Sequence, residues 1–261
     1  MNPPTHPCLK IVIVDDDIAV AAAGDNPATA IRYVTGLRGR PLTEIVEELR
    51  KYSAEHDAMK VSKSFLIAKR ALDPQLWRIT GGEVEDSSNL SRLWIGDADA
   101  FRAFQHQYAA LPGFPPEQRL VSTMMTIVLF DDIPSVGGYT TRASGDATQP
   151  FRFHSDPAGS GPWYTEGEFT TGPNGEQGLV FQVPPGGDPS QSTRIGVPGR
   201  DDTFGAMAYF IPETGMAVLW KHAEPWRPAI LLTGVGSMDE LVQIAEQKYG
   251  QLLLPAELSS L

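Results

Sequence analysis

The chain has 261 residues, 41% of them hydrophobic and 20% charged, enough for a substantial core in one large domain or two small ones. A formal net charge of −11 argues against a nucleic-acid partner, since phosphate backbones require clustered lysine and arginine and no basic stripe occurs in the sequence. Cys8 stands alone, which excludes an intrachain disulfide and leans towards a reducing compartment. With no apolar run of membrane-spanning length and no basic, apolar leader, the expectation is a cytoplasmic protein with no membrane partner.

The stretch Leu9–Gly24 organises the rest: two short apolar runs, LKIVIV and IAVAAAG, flank Asp15-Asp16-Asp17 and predict a β-hairpin. Short continuous Val, Ile and Ala runs suit strands covered on both faces. That predicts a sandwich of two sheets with helices outside, and puts the hairpin at the centre of one sheet. Asp25-Asn26-Pro27 opens a short helix over Ala28–Leu37, and Pro41 opens a second. Leu42, Ile45, Val46, Leu49 and Tyr52 form one stripe of that second helix, read as core packing. Phe65–Lys69 and Gln75–Thr80 read as strands, with Gly81-Gly82 turning the second into Glu83-Val84-Glu85. Leu93–Gly96 reads as a further short strand, leading into a helix over Asp97–Tyr108 capped by Asp97.

Beyond the loop Pro112–Pro116, a helix rich in Met and Leu is expected over Glu117–Phe130. DDIPSVGG stops it, and Tyr139–Ala143 leaves that turn as a strand. From Ser144 to Gly205 the composition shifts to Gly, Pro, Ser and Thr, with short strand candidates at Phe151–His154 and Leu179–Val183. This reads as an insertion, decorated or flexible, around residues 144–205 of a single domain spanning 1–261. Ala206–Ile211 and Met216–Trp220 form a hairpin across Pro212–Gly215. Ile230–Thr233 is a last strand, and Met238–Tyr249 an amphipathic helix capped by Ser237.

Three segments, in this order, carry a resemblance. LKIVIVDDDIAVAAAG looks like a lysine-led strand pair ending in Ala-Gly. LWRITGGEVEDSSNLSRLWIGD looks like a strand, glycine turn and strand followed by an Ile-Gly element that opens a helix. DIPSVGG looks like an Asp-x-x-Ser-Gly-Gly turn with Val136 inserted. From about Leu9 to Ala143 the chain is thereby similar to proteasome β-subunits and the HslV peptidase, which are N-terminal nucleophile (Ntn) hydrolases. The resemblance implies an α+β fold, a four-layer α-β-β-α sandwich, and kinship with amide-hydrolysing peptidases. It also implies a peptide-like substrate if the chain is active, no cofactor or metal, and self-assembly or another protein partner. By resemblance Lys10 is the buried lysine that lowers the proton affinity of the nucleophile. Gly24 offers its backbone N–H to the oxyanion. Asp132 and Ser135 hold the α-amino group that acts as base.

The family carries a catalytic Thr, Ser or Cys on a first strand and an Asp on a second, both before the lysine-led hairpin. Nine residues precede Lys10, too few for that hairpin, and Asp25 replaces the second glycine usual after Ala-Gly. The expectation is therefore a protein inactive as encoded. Three other readings stay open. The hairpin lies upstream of this sequence, or C-terminal strands such as Ala206–Trp220 fill its place in a permuted order, or cleavage exposes Cys8 or Thr5 as a new N-terminus. Cys8, two residues before Lys10, shares its face of the strand and is the candidate nucleophile; the plainer reading is an inert core cysteine.

His154-Ser155-Asp156 has the look of a metal or acid/base pair but lacks a third ligand, and reads as a loop hydrogen bond. Asp15-Asp16-Asp17 reads as a solvated turn, because the EF-hand spacing is missing. Trp163-Tyr164, Trp220 and Trp226 read as core or rim packing, with a ligand-facing or oligomer patch as the alternative. A different functional class also fits: a non-enzymatic binding or assembly protein that uses the Ser144–Gly205 region as its contact surface.

Overall fold

The computed structural model describes residues 8–90, 93–113, 115–116, 119–120, 122–124, 127, 141–153, 157–158, 166–171, 177–182, 194–199 and 207–254. Along the chain the elements are β1 (Ile11–Asp15), β2 (Ile18–Gly24), α1 (Pro27–Thr35), α2 (Leu42–Ala58), β3 (Lys63–Lys69), β4 (Gln75–Thr80), β5 (Glu83–Asp86) and α3 (Ala98–Ala109). There follow β6 (Ala143–Ser144), β7 (Arg152–Phe153), β8 (Pro157–Ala158), β9 (Glu166–Thr171), β10 (Gln177–Gln182), β11 (Arg194–Pro198), β12 (Met207–Ile211), β13 (Met216–Trp220), β14 (Ile230–Thr233) and α4 (Met238–Tyr249). The molecule is a mixed helix and sheet protein.

The first sheet is a meander in the order β1-β2-β3-β4-β5, every neighbouring pair antiparallel. The expected hairpin forms, with Ile11 opposite Ala21 and Val12 opposite Val20, but at one edge of the sheet rather than its centre. Each strand of a meander adds beside the last, so among the described residues the first one has a single neighbour. The apolar character of β1 comes instead from what covers its two faces. Val12 and Val14 join Val20, Phe65, Ile67 and Ile79 in a cluster with Ile31 and Val34 of α1 and Ile45 and Leu49 of α2. Leu9 and Ile13 point the other way, into a cluster with Met207 and Tyr209 of β12 and Val218 and Trp220 of β13. Burying a side chain of this size stabilises the fold by about 1.5–3 kcal/mol.

The second sheet runs β14-β13-β12-β11-β8. Its other face packs Ala208, Phe210, Ala217 and Leu219 against Leu241 and Ala245 of α4. Two strands of this sheet, β8 and β11, come from the Gly/Pro-rich region around residues 144–205. A five-residue strand containing glycine and ending in proline carries almost no pattern, which is why RIGVP does not announce itself. The remaining strands of the region pair as β6 with β7 and β9 with β10.

The predicted caps hold: Asp97 accepts the N–H groups of Asp99 and Ala100, and Ser237 accepts that of Glu240. Leu93–Gly96 is not a strand. Trp94 instead stacks on Phe101 of α3 at 4.1 Å between ring centroids. Most of the expected Glu117–Phe130 helix, and the start of the Tyr139–Ala143 strand, lie outside the described residues.

Candidate active site at the mouth of the first hairpin

Sequence places Cys8 and Lys10 on one lip of the hairpin and Gly24 on the other. Strand alternation decides where the lysine goes. Leu9, Ile11 and Ile13 face the second sheet, so Lys10 falls on the side of Val12 and Val14, which pack under α1 and α2. Its carbonyl accepts the Ala22 N–H at 2.9 Å, keeping it in the ladder, and the residue is exposed. The expectation of a buried Lys10 is thus corrected: one residue of alternation separates it from the space between the sheets. Asp132 and Ser135 lie outside the described residues, as do Thr5, His154, Ser155, Asp156, Trp163 and Tyr164.

Cys8 is half-buried, and burial pushes its thiol up from the ordinary range. The Lys10 charge and a backbone hydrogen bond act in the opposite direction but are the smaller causes. A thiol held in its neutral form is a weak nucleophile.

Gly24 has a structural reason to be glycine. Its φ is 118°, and a Cβ there would stand 2.1 Å from the Ser62 carbonyl oxygen. The close approach belongs to a clamp between the end of β2 and the start of β3. Asp25 N–H donates to Ser62 O at 3.0 Å, and Ser62 N–H donates to Asp25 Oδ2, also at 3.0 Å. Asp25 is one half of this clamp.

The buried ammonium of the region is Lys63, a residue the sequence reading passed over. It is 2% exposed, and Nζ donates to the carbonyl of Asn26 at 3.0 Å, just before α1. Ser53 Oγ of α2 donates to its backbone carbonyl at 2.8 Å. Burial lowers the pKa of Lys63, and the nearby Asp25 carboxylate partly offsets this. The signal was present in KSFLIAK, where Lys63 has the parity of the buried Phe65 and Ile67. On that face Lys63 ties β3 to the entrance of α1.

Among the described residues no group of three or more His, Cys, Asp or Glu side chains is placed to hold a metal ion. The aspartate turn is engaged locally: Asp17 pairs with Lys69 at 3.5 Å, and Asp15 accepts the Asp16 N–H at 2.7 Å. No described helix is long and apolar enough to cross a membrane.

No family model matches the chain, and no curated protein matches it. Among solved structures it is similar to eukaryotic HslV from Trypanosoma brucei, at 16% identity and a TM-score of 0.36, over 50% of this chain and 76% of that one.

Proposed function

We propose that this chain is a proteasome/HslV-like Ntn-hydrolase-fold protein, related to amide-hydrolysing peptidases, that does not hydrolyse amides and works by binding, through self-assembly or a protein partner. The ordered motifs between Leu9 and Ala143 support the kinship. A four-layer α-β-β-α sandwich is the arrangement that best accounts for three apolar clusters: one between α1, α2 and the first sheet, one joining the two sheets, and one between the second sheet and α4.

The observation that carries the non-catalytic reading is the state of the hairpin mouth. Covalent catalysis at neutral pH needs an activated attacking group. The one thiol there is pushed towards its neutral form by burial, and the lysine expected to activate it is exposed. The test is turnover of fluorogenic peptide amides by the purified full-length chain, together with its mass by light scattering. The expected result is no turnover above the blank and an assembly heavier than one chain. Turnover that disappears in Lys10→Ala or Cys8→Ala overturns the non-catalytic reading. A single-chain mass at every concentration, with no partner recovered, removes the binding role.

A further inference from the structure

The strand β14 ends the second sheet on the side away from β8. Among the described residues it pairs with β13 alone, and no other described backbone group bonds to Ile230–Thr233. Its ladder runs without a bulge, and its four residues include neither a charge nor a proline. Those are the devices that keep a sheet edge from accepting another strand, and β14 has none of them.

Register fixes what each side chain faces, because residues opposite one another share a face of the sheet. Ile230 and Leu232 stand opposite Leu219 and Ala217 and pack with them on the side of α4. Leu231 stands opposite Val218, on the side of the first sheet. Val218 is 1% exposed, whereas Leu231 is 43% exposed. The cover that the first sheet gives β13 thus stops one strand short, and a leucine is left open at the rim of the cluster that joins the sheets.

Charge selects the occupant. At a net charge of −11, two copies of the chain repel each other over most of their surface. In a two-fold contact every charge near the axis also meets its own like. From Pro228 to Met238 no side chain is charged, so this edge can approach its own copy without that cost. An antiparallel pair about an axis normal to the sheet keeps both faces in phase only when paired residues have the same parity. Setting Leu231 opposite itself meets that condition. It brings the two open leucines together and puts Ile230 beside Leu232 of the second copy.

We propose that β14 pairs antiparallel with β14 of a second copy of this chain, centred on Leu231, so that the two second sheets become one. This rests on the self-assembly proposed above and names the surface that carries it.

Sedimentation of the full-length chain over a range of concentrations tests it beside two kinds of variant. Leu231→Lys sets a charge against its own copy at a position open to water, and is expected to weaken association by more than about tenfold. In a Cys8→Ser background, Leu231→Cys should trap a dimer under mild oxidation, since facing Cα atoms about 4.5–5.5 Å apart suit a disulfide. Thr233→Cys should not, because its two copies stand about 13 Å apart in this register. Association unchanged in Leu231→Lys, or trapping as fast through Thr233→Cys as through Leu231→Cys, overturns the β14 contact and leaves self-assembly standing. A single-chain mass at every concentration overturns it as well, whereas the binding role falls only if no protein partner is recovered either. Should Leu231→Lys fail to fold, amide exchange in the unaltered chain decides. Protection of Ile230–Thr233 that rises with protein concentration supports the contact, and protection independent of concentration overturns it.

Discussion

The two edges of the first sheet are built alike and end up in opposite surroundings. Among the described residues, β1 and β5 each pair with one strand. Yet Val12, Ile13 and Val14 are each 1% exposed, while all four residues of β5 are exposed. At β1 the helices cover one face and the second sheet the other. Its outer carbonyls are taken by Arg38 and by the Gly39 N–H. At β5 the residues are Glu83, Val84, Glu85 and Asp86, and a charged edge discourages another strand from adding to it. Burial in this sheet follows the layers above and below a strand, not its place in the hydrogen-bonded order.

Ile13→Ala attacks the buried edge where the two sheets touch. A large-to-small change at a fully buried isoleucine costs about 2–5 kcal/mol, because the cavity persists when both walls are rigid sheets. A urea midpoint lowered by that amount, with an unchanged slope, is the expected result. A loss below about 1 kcal/mol would mean that β1 is covered on one face only, and the contrast between the edges would collapse.

Gly24→Ala sharpens the same contrast at the exit of the hairpin. The new methyl would meet the Ser62 carbonyl, and the backbone stands at a φ of 118°, so roughly 1–3 kcal/mol of strain is expected in a thermal or urea transition. Had Gly24 served only to approach a substrate, the substitution would leave stability intact.

What could be read from the residues follows the same physics. The hairpin, α1, α2, β3 to β5, the β12–β13 hairpin and α4 were legible because period and punctuation agree: apolar runs flanked by turn residues for the strands, and apolar stripes opened by Asn26-Pro27, Pro41 or Ser237 for the helices. Position in the sheet was not legible. An apolar run reports that both faces are covered, and IVIV reads the same at an edge as at a centre. Leu93–Gly96 misled because a short apolar tetrapeptide fits a strand equally well; here its tryptophan packs on α3. At the hairpin mouth the motif drew attention to Lys10, whereas the parity of KSFLIAK put the buried ammonium at Lys63.

The smallest effects belong to the exposed edge. Val84 is 39% exposed, and replacing it by Ala should change stability by no more than about 0.5 kcal/mol. Glu85 pairs across the ladder with Arg78, both partly in water. Glu85→Gln should therefore produce a slight loss at low ionic strength that disappears in about 1 M salt, where screening shortens to a few ångströms. Salt-independent losses in both variants would show that β5 is covered, which its exposure argues against. A loss for Glu85→Gln alone that salt erases would assign the role of this edge to charge, just as Ile13→Ala assigns that of the opposite edge to packing.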